Sequence, residues 1–165
     1  MKNKRELSLL YFILIVSLFT SCNSTRYVQE GKYLLSDINY KIDNKRINKD
    51  ELSSYVRQEE NLKILGFFKF HLWLYNISNR DKLKSWLKDV GEPPVIYDEV
   101  LKNKSVAQIQ QYLYNKGYYQ STVTDTTVLN NKKAHVTYIV KTGNPYLIRD
   151  ITYKIEDPEI DSLVK

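Results

Sequence analysis

The chain has 165 residues but only one cysteine, five glycines, four prolines and two histidines. A single cysteine cannot close a disulfide within the chain, so no disulfide framework organises the fold. Scarce glycine and proline leave few points at which strands or helices are broken. His71 and His135 stand alone, without the i,i+4 partner or cysteine spacing of a zinc site. No Gly-x-Ser-x-Gly elbow, phosphate loop or dinucleotide fingerprint occurs. An enzyme is therefore not expected, and neither a catalytic residue, a cofactor nor a metal is assigned. The formal net charge is +6, but past residue 21 adjacent bases occur only as pairs, Lys45-Arg46 and Lys132-Lys133. Without a basic stripe, nucleic acid is not an expected partner. The most apolar run, Leu7 to Phe19, falls short of the roughly 20 residues that span a bilayer.

That run follows Lys2, Lys4 and Arg5, so residues 1–21 read as an export signal and stand outside the fold. Thr20-Ser21-Cys22 resembles a bacterial lipobox, with Phe19 departing from the usual small aliphatic residue. Lipidation is therefore expected at Cys22. Each buried methylene of an acyl chain adds about 0.8 kcal/mol, and several chains together anchor stably. An acylated Cys22 leaves no thiol for catalysis.

Fourteen tyrosines and many β-branched residues favour strands. Tyr33 to Asp43 returns as Tyr146 to Glu156, with seven of eleven positions identical, which indicates a supersecondary unit used again. Asp37 and Asp150 recur as equivalent positions of that unit, not as an acid–base pair. In the first copy Ile38, Tyr40 and Ile42 alternate with polar residues, the period of a half-buried strand. Asn48 and Glu51 approximate a capping box, and Leu52, Tyr55 and Val56 continue as a helical stripe. Ile64 to Ile77 is apolar on both faces from Phe67 to Tyr75, and reads first as a strand or bent element buried on both sides, and second as an aromatic patch that meets a partner or the membrane interface. Leu83, Trp86, Leu87 and Val90 predict a short amphipathic helix, ended by Gly91-Glu92-Pro93-Pro94. Ser105 and Gln108 have capping-box spacing before the stripe Val106, Ile109, Tyr112 and Leu113, and Gly117 supplies a left-handed cap. Two strand-like stretches, Ser121–Leu129 and Ala134–Val140, flank a turn at Asn130-Asn131 and predict a β-hairpin.

Strand, helix, Lys116-Gly117-Tyr118-Tyr119, hairpin, then Gly143-Asn144-Pro145-Tyr146 before a fresh Ile-x-Tyr-x-Ile segment resembles the POTRA (polypeptide-transport-associated) domain of BamA/TamA-type outer-membrane assembly factors. Further residues are similar to the TamL-like lipoprotein branch: Cys22, Glu30 to Leu35, Ile64-Leu65-Gly66, Leu74-Tyr75-Asn76 and Gly91 to Asp98. The resemblance implies an α+β fold of tandem β-α-α-β-β modules, a mixed sheet with helices on one face, and no barrel in this chain. The expected organisation is a signal over 1–21, a tether over 22–32, one module over 33–90, a second over 91–143, and the start of a third over 144–165.

The resemblance further implies lipid-anchored placement at the outer membrane, facing the periplasm. Asn23 to Arg26 carry none of the acidic residues found after the cysteine of surface-exposed lipoproteins. Expected partners are unfolded outer-membrane protein clients and a TamB-like protein spanning from the inner membrane. Clients would join an exposed sheet edge as an added strand. Thr122, Thr124 and Thr126 are the candidate edge positions, with Lys132 and Lys133 guarding against self-pairing. The other function compatible with this reading is a free-standing structural lipoprotein that acts as a scaffold.

Overall fold

Alternating apolar residues produce the first strand, β1 (Leu34–Ile42). In the computed structural model the described residues are 24–64, 69–78, 89–151, 154, 156 and 160. Among the described residues the helices that follow are α1 (Lys49–Ser53), α2 (Phe70–Ser78) and α3 (Glu99–Asn115). Strands β2 (Thr122–Asn130) and β3 (Lys133–Lys141) complete the order. The sheet runs β1-β3-β2, with β1 parallel and β2 antiparallel to the central β3. This is the expected α+β architecture, with no barrel among the described residues.

The hairpin turn is set by Asn131 and Lys132, whose φ values of 49° and 59° are those of a two-residue type I′ loop. Helix α3 closes in a Schellman pattern. Tyr118 N–H donates to Leu113 O at 2.9 Å and Gly117 N–H to Tyr114 O at 3.0 Å, with Gly117 at φ +87°.

One face of the sheet carries the main core. Leu35, Val123, Val136, Tyr138 and Val140 meet Leu52 of α1 and Ile109, Tyr112 and Leu113 of α3. Each fully buried leucine or isoleucine there stabilises the fold by about 1.5–3 kcal/mol relative to exposure. Beyond the ends of β1 and β3, the Asp43 carboxylate accepts from the Thr142 N–H and hydroxyl, both at 3.1 Å. Asn44 Nδ2 also donates to Thr142 Oγ1 at 3.3 Å. A smaller cluster joins Val28, Leu34 and Leu72.

Five expectations are corrected. Residues 33–90 and 91–143 do not form separate modules: β1 pairs along its length with β3, so both stretches build one sheet. Alternation reveals which face a strand buries, not which strand it will pair with. The segment expected as a tether over 22–32 is packed at Val28, which is 4% exposed. Phe70–Ser78 is a helix, not a strand. Leu72 and Asn76, one turn apart, are its buried positions, and Phe70 stacks on Trp73 three residues along. Helix α3 begins six residues before Ser105. Asp98 is the N-cap and accepts from Val100 N–H at 2.8 Å and Leu101 N–H at 3.1 Å. Ser105 is instead fully buried, with its hydroxyl donating to Leu101 O and accepting from Arg57 N–H. The stripe of Leu52, Tyr55 and Val56 does not stay helical, since α1 ends at Ser53.

The helix expected around Leu83 to Val90 lies outside the described residues apart from Asp89 and Val90, and Cys22 lies outside them too. Of the second repeat copy, residues 146–151, 154 and 156 are described, and none of them is in a strand. No helix of the described residues is long and apolar enough to cross a membrane.

Candidate functional site

A sheet of three strands has two edges, and its side chains treat them differently. Along β1 the outer side is occupied near its start. Leu35 N–H donates to Val95 O and Tyr97 N–H to Tyr33 O, both at 2.8 Å. Lys69 Nζ reaches Ser36 O at 2.8 Å, beside the register shift between Leu35 and Asp37. The covering segment is closed in turn by two side-chain amides. Asn61, fully buried, donates to Pro93 O and accepts from Val95 N–H. Gln58 donates to Ile96 O and accepts from Asp98 N–H.

Strand β2 pairs only with β3 among the described residues. Asn130 and Lys133 face each other across the two-residue turn, and such closing residues exchange their hydrogen bonds. Counting back by twos, Thr122, Thr124, Thr126 and Val128 direct backbone groups at β3. Val123, Asp125, Thr127 and Leu129 direct theirs outward. Side chains alternate at right angles to this. Thr122, Thr124 and Thr126 are exposed on the solvent face, while Val123 is buried toward α3 and Asp125 half-buried.

Two groups from α3 reach this edge. Gln110 Oε1 accepts from Val123 N–H at 3.1 Å, and its Nε2 donates to Ser121 O and Ser121 Oγ, both at 2.9 Å. Lys102 Nζ meets Asp125 Oδ2 at 2.7 Å, with the side chains 11% and 18% exposed. Burial disfavours the Lys102 ammonium, but the hydrogen bond and charge of Asp125 outweigh it and raise the pKa. At the hairpin end lies a cleft of about 550 Å³, lined in part by Tyr33, Ile96, Tyr97, Leu101 and Leu129. The edge thus presents outward N–H and C=O groups beside a helix, with a cleft of mixed polar and apolar lining at its hairpin end.

Of the residues predicted from sequence, Thr122, Thr124 and Thr126 fall together on this edge strand. Lys132 sits in the turn and Lys133 opens the central strand, so neither flanks the open edge along its length. Gln110, Lys102 and Asp125 were not singled out. The i,i+4,i+8 spacing of Lys102, Val106 and Gln110 was the available signal, since it places them on one side of α3.

A second polar cluster occupies the sheet near Asp37. Its carboxylate meets Lys63 Nζ at 2.7 Å and His135 Nδ1 at 2.6 Å, while Lys63 also meets Glu60 at 2.7 Å. Burial works against the charge on Asp37, but the hydrogen bond and charge of Lys63, with help from Ser36 and His135, hold its pKa below the ordinary 3.8. His71 belongs to α2 and its carbonyl accepts from Glu92 N–H. The described residues contain no group of three or more His, Cys, Asp or Glu arranged to hold a metal.

The family model described as "POTRA: Surface antigen variable number repeat" matches residues 33–143. Those bounds enclose β1 through β3 as one unit. Among solved structures, the chain is similar to the crystal structure of Haemophilus influenzae BamA POTRA3-5. Identity is 12%, coverage is 84% of this chain and 78% of that one, and the TM-score of 0.31 is too low to bear on function. No curated protein matches the chain.

Proposed function

Because the chain belongs to the POTRA family over most of its length, we propose that it is the periplasmic portion of an outer-membrane protein assembly lipoprotein, and that it receives extended polypeptide on the edge of β2. The outer side of that strand, which has no strand against it among the described residues, is the observation that carries this reading. Added strands gain affinity from backbone hydrogen bonds, so selectivity for side chains stays low, which suits many unfolded outer-membrane clients. No catalytic step is part of this function. Lipidation at Cys22 tethers the chain to the outer membrane, facing the periplasm. The closest assignment within the superfamily is the TamL-like branch, with a TamB-like protein as the partner from the inner membrane.

Tyr146–Glu156 then opens a further module. This is supported by its identity with the β1 region and by Leu147, Ile148 and Ile151, which are 82%, 80% and 61% exposed.

The test is a photo-crosslinking residue at Thr124 or Thr126, presented to unfolded outer-membrane β-barrel protein in the cell envelope. Capture from both positions is the expected result. Failure to capture any client from β2 would favour the scaffold function. In the same cells Cys22→Ala should abolish labelling by a fatty-acid probe.

A further inference from the structure

The Gln110 amide does at β2 what the Gln58 and Asn61 amides do at the segment outside β1. Each donates to the carbonyl of one residue and accepts from the N–H of the residue two further on. A neighbouring strand would use that same pair of backbone groups. At Gln58 and Asn61 the device closes an extended segment that already has a strand on its other side. At Gln110 it closes only the first rung of an edge whose remaining outward positions, Asp125, Thr127 and Leu129, have no strand against them among the described residues.

We infer that Gln110 is a built-in edge cap that sets the register of the docked strand. It fills the rung between Ser121 and Val123 and confines incoming polypeptide to the stretch from Asp125 toward Leu129 and the cleft of mixed lining beyond it. The cap rests on the strand-addition reading above and specifies how it is regulated. Its chemistry fits the position. A glutamine amide carries one donor group and one acceptor in the plane of a peptide, so it satisfies both backbone groups without offering a further edge. Helix α3 holds it in place, since Ile109 and Leu113 on either side are fully buried. The Lys102–Asp125 pair marks the point where the capped stretch ends. An inward-pointing charge is a known device against unwanted edge pairing, and here it limits how closely an apolar side chain of a docked strand can approach from the helix side.

The experiment uses the full chain and a synthetic extended peptide that alternates Val and Tyr with Thr and Ser. A photo-crosslinking residue is placed in turn at Thr122, Thr126 and Val128. In the native background capture should occur at Thr126 and Val128 and be weak at Thr122. In Gln110→Ala capture should spread to Thr122. The peptide should also bind roughly three- to ten-fold tighter, because two more backbone hydrogen bonds become available. Gln110→Met keeps the side chain's length, removes both hydrogen-bonding groups, and should behave the same way. Equal capture at Thr122 and Val128 in the native protein, or a pattern unchanged in both variants, overturns the cap and leaves strand addition standing. Absence of capture at every β2 position in all three proteins overturns strand addition itself, and the cap with it.

Discussion

Single residues in this chain act mainly through their backbone surroundings. Gly117 has φ +87°, and a Cβ there would stand 2.7 Å from Tyr146 O, whose own N–H donates to Gly117 O at 2.9 Å. Gly117→Ala should lower stability by about 1–3 kcal/mol through left-handed strain and that clash, read from the urea midpoint. It should also loosen the ring contacts of Tyr119 with Tyr114 and Tyr146. Asp37 gives a pH-dependent case. Its folded pKa lies below the ordinary 3.8, so the stability it contributes is present above that value and is lost as pH falls through the folded pKa. The group is a third exposed, so solvent screening keeps the contribution to at most about 1 kcal/mol. Asp37→Asn should be less stable than the native chain at neutral pH, and the gap should close on acidification below pH 3.8. A gap that persisted at pH 2 would count against this account.

At the level of elements, α3 and β2 are joined by the Lys102–Asp125 pair and the Gln110 amide, and α3 is started by Asp98. Asp98→Ala removes the acceptor for two orphan N–H groups and should cost about 1 kcal/mol. Gln58, which accepts from the backbone N–H of residue 98, keeps that donor in the same variant, so the loss reads the cap alone. Asp125→Ala leaves Lys102 half-buried and unpaired. The expected loss is about 1–2 kcal/mol, between the values for exposed and buried pairs, and Asp125→Ala/Lys102→Met should recover part of it. Thermal unfolding of the single and double variants checks both. Sequence periodicity made the hairpin, the α3 stripe and its glycine stop readable, because each depends on residues a few positions apart. It misplaced the start of α3 because Ser105-x-x-Gln108 and Asp98 both offer capping chemistry, and burial of Ser105 decided between them. It misread Phe70–Ser78 because an apolar run without clear alternation fits a helix or a strand equally well.

On the scale of the whole molecule, the parallel pairing of β1 with β3 is the contact that unites residues 33–143. Separate expression of 33–90 and 91–143 should give two chains without cooperative unfolding, since the second would hold only a two-stranded hairpin under one helix. Residues 24–143 together should melt in one transition. Circular dichroism of the three polypeptides distinguishes the outcomes, and a cooperative melt of 91–143 alone would break the one-sheet account.

The amino-acid sequence by itself determined the strands β1, β2 and β3, the hairpin turn to within one residue, and where α3 stops. These follow from alternation, turn chemistry and left-handed glycine, all local properties. It also carried the resemblance, in the ordered set of Gly, Tyr and Pro positions. Only the tertiary structure decided that the two halves share one sheet, that β2 has no strand against its outer side among the described residues, and that Gln110 reaches across to close the first rung. Strand partners and side-chain amides meet through contacts between residues far apart in the chain, and no local period encodes which distant groups will lie side by side.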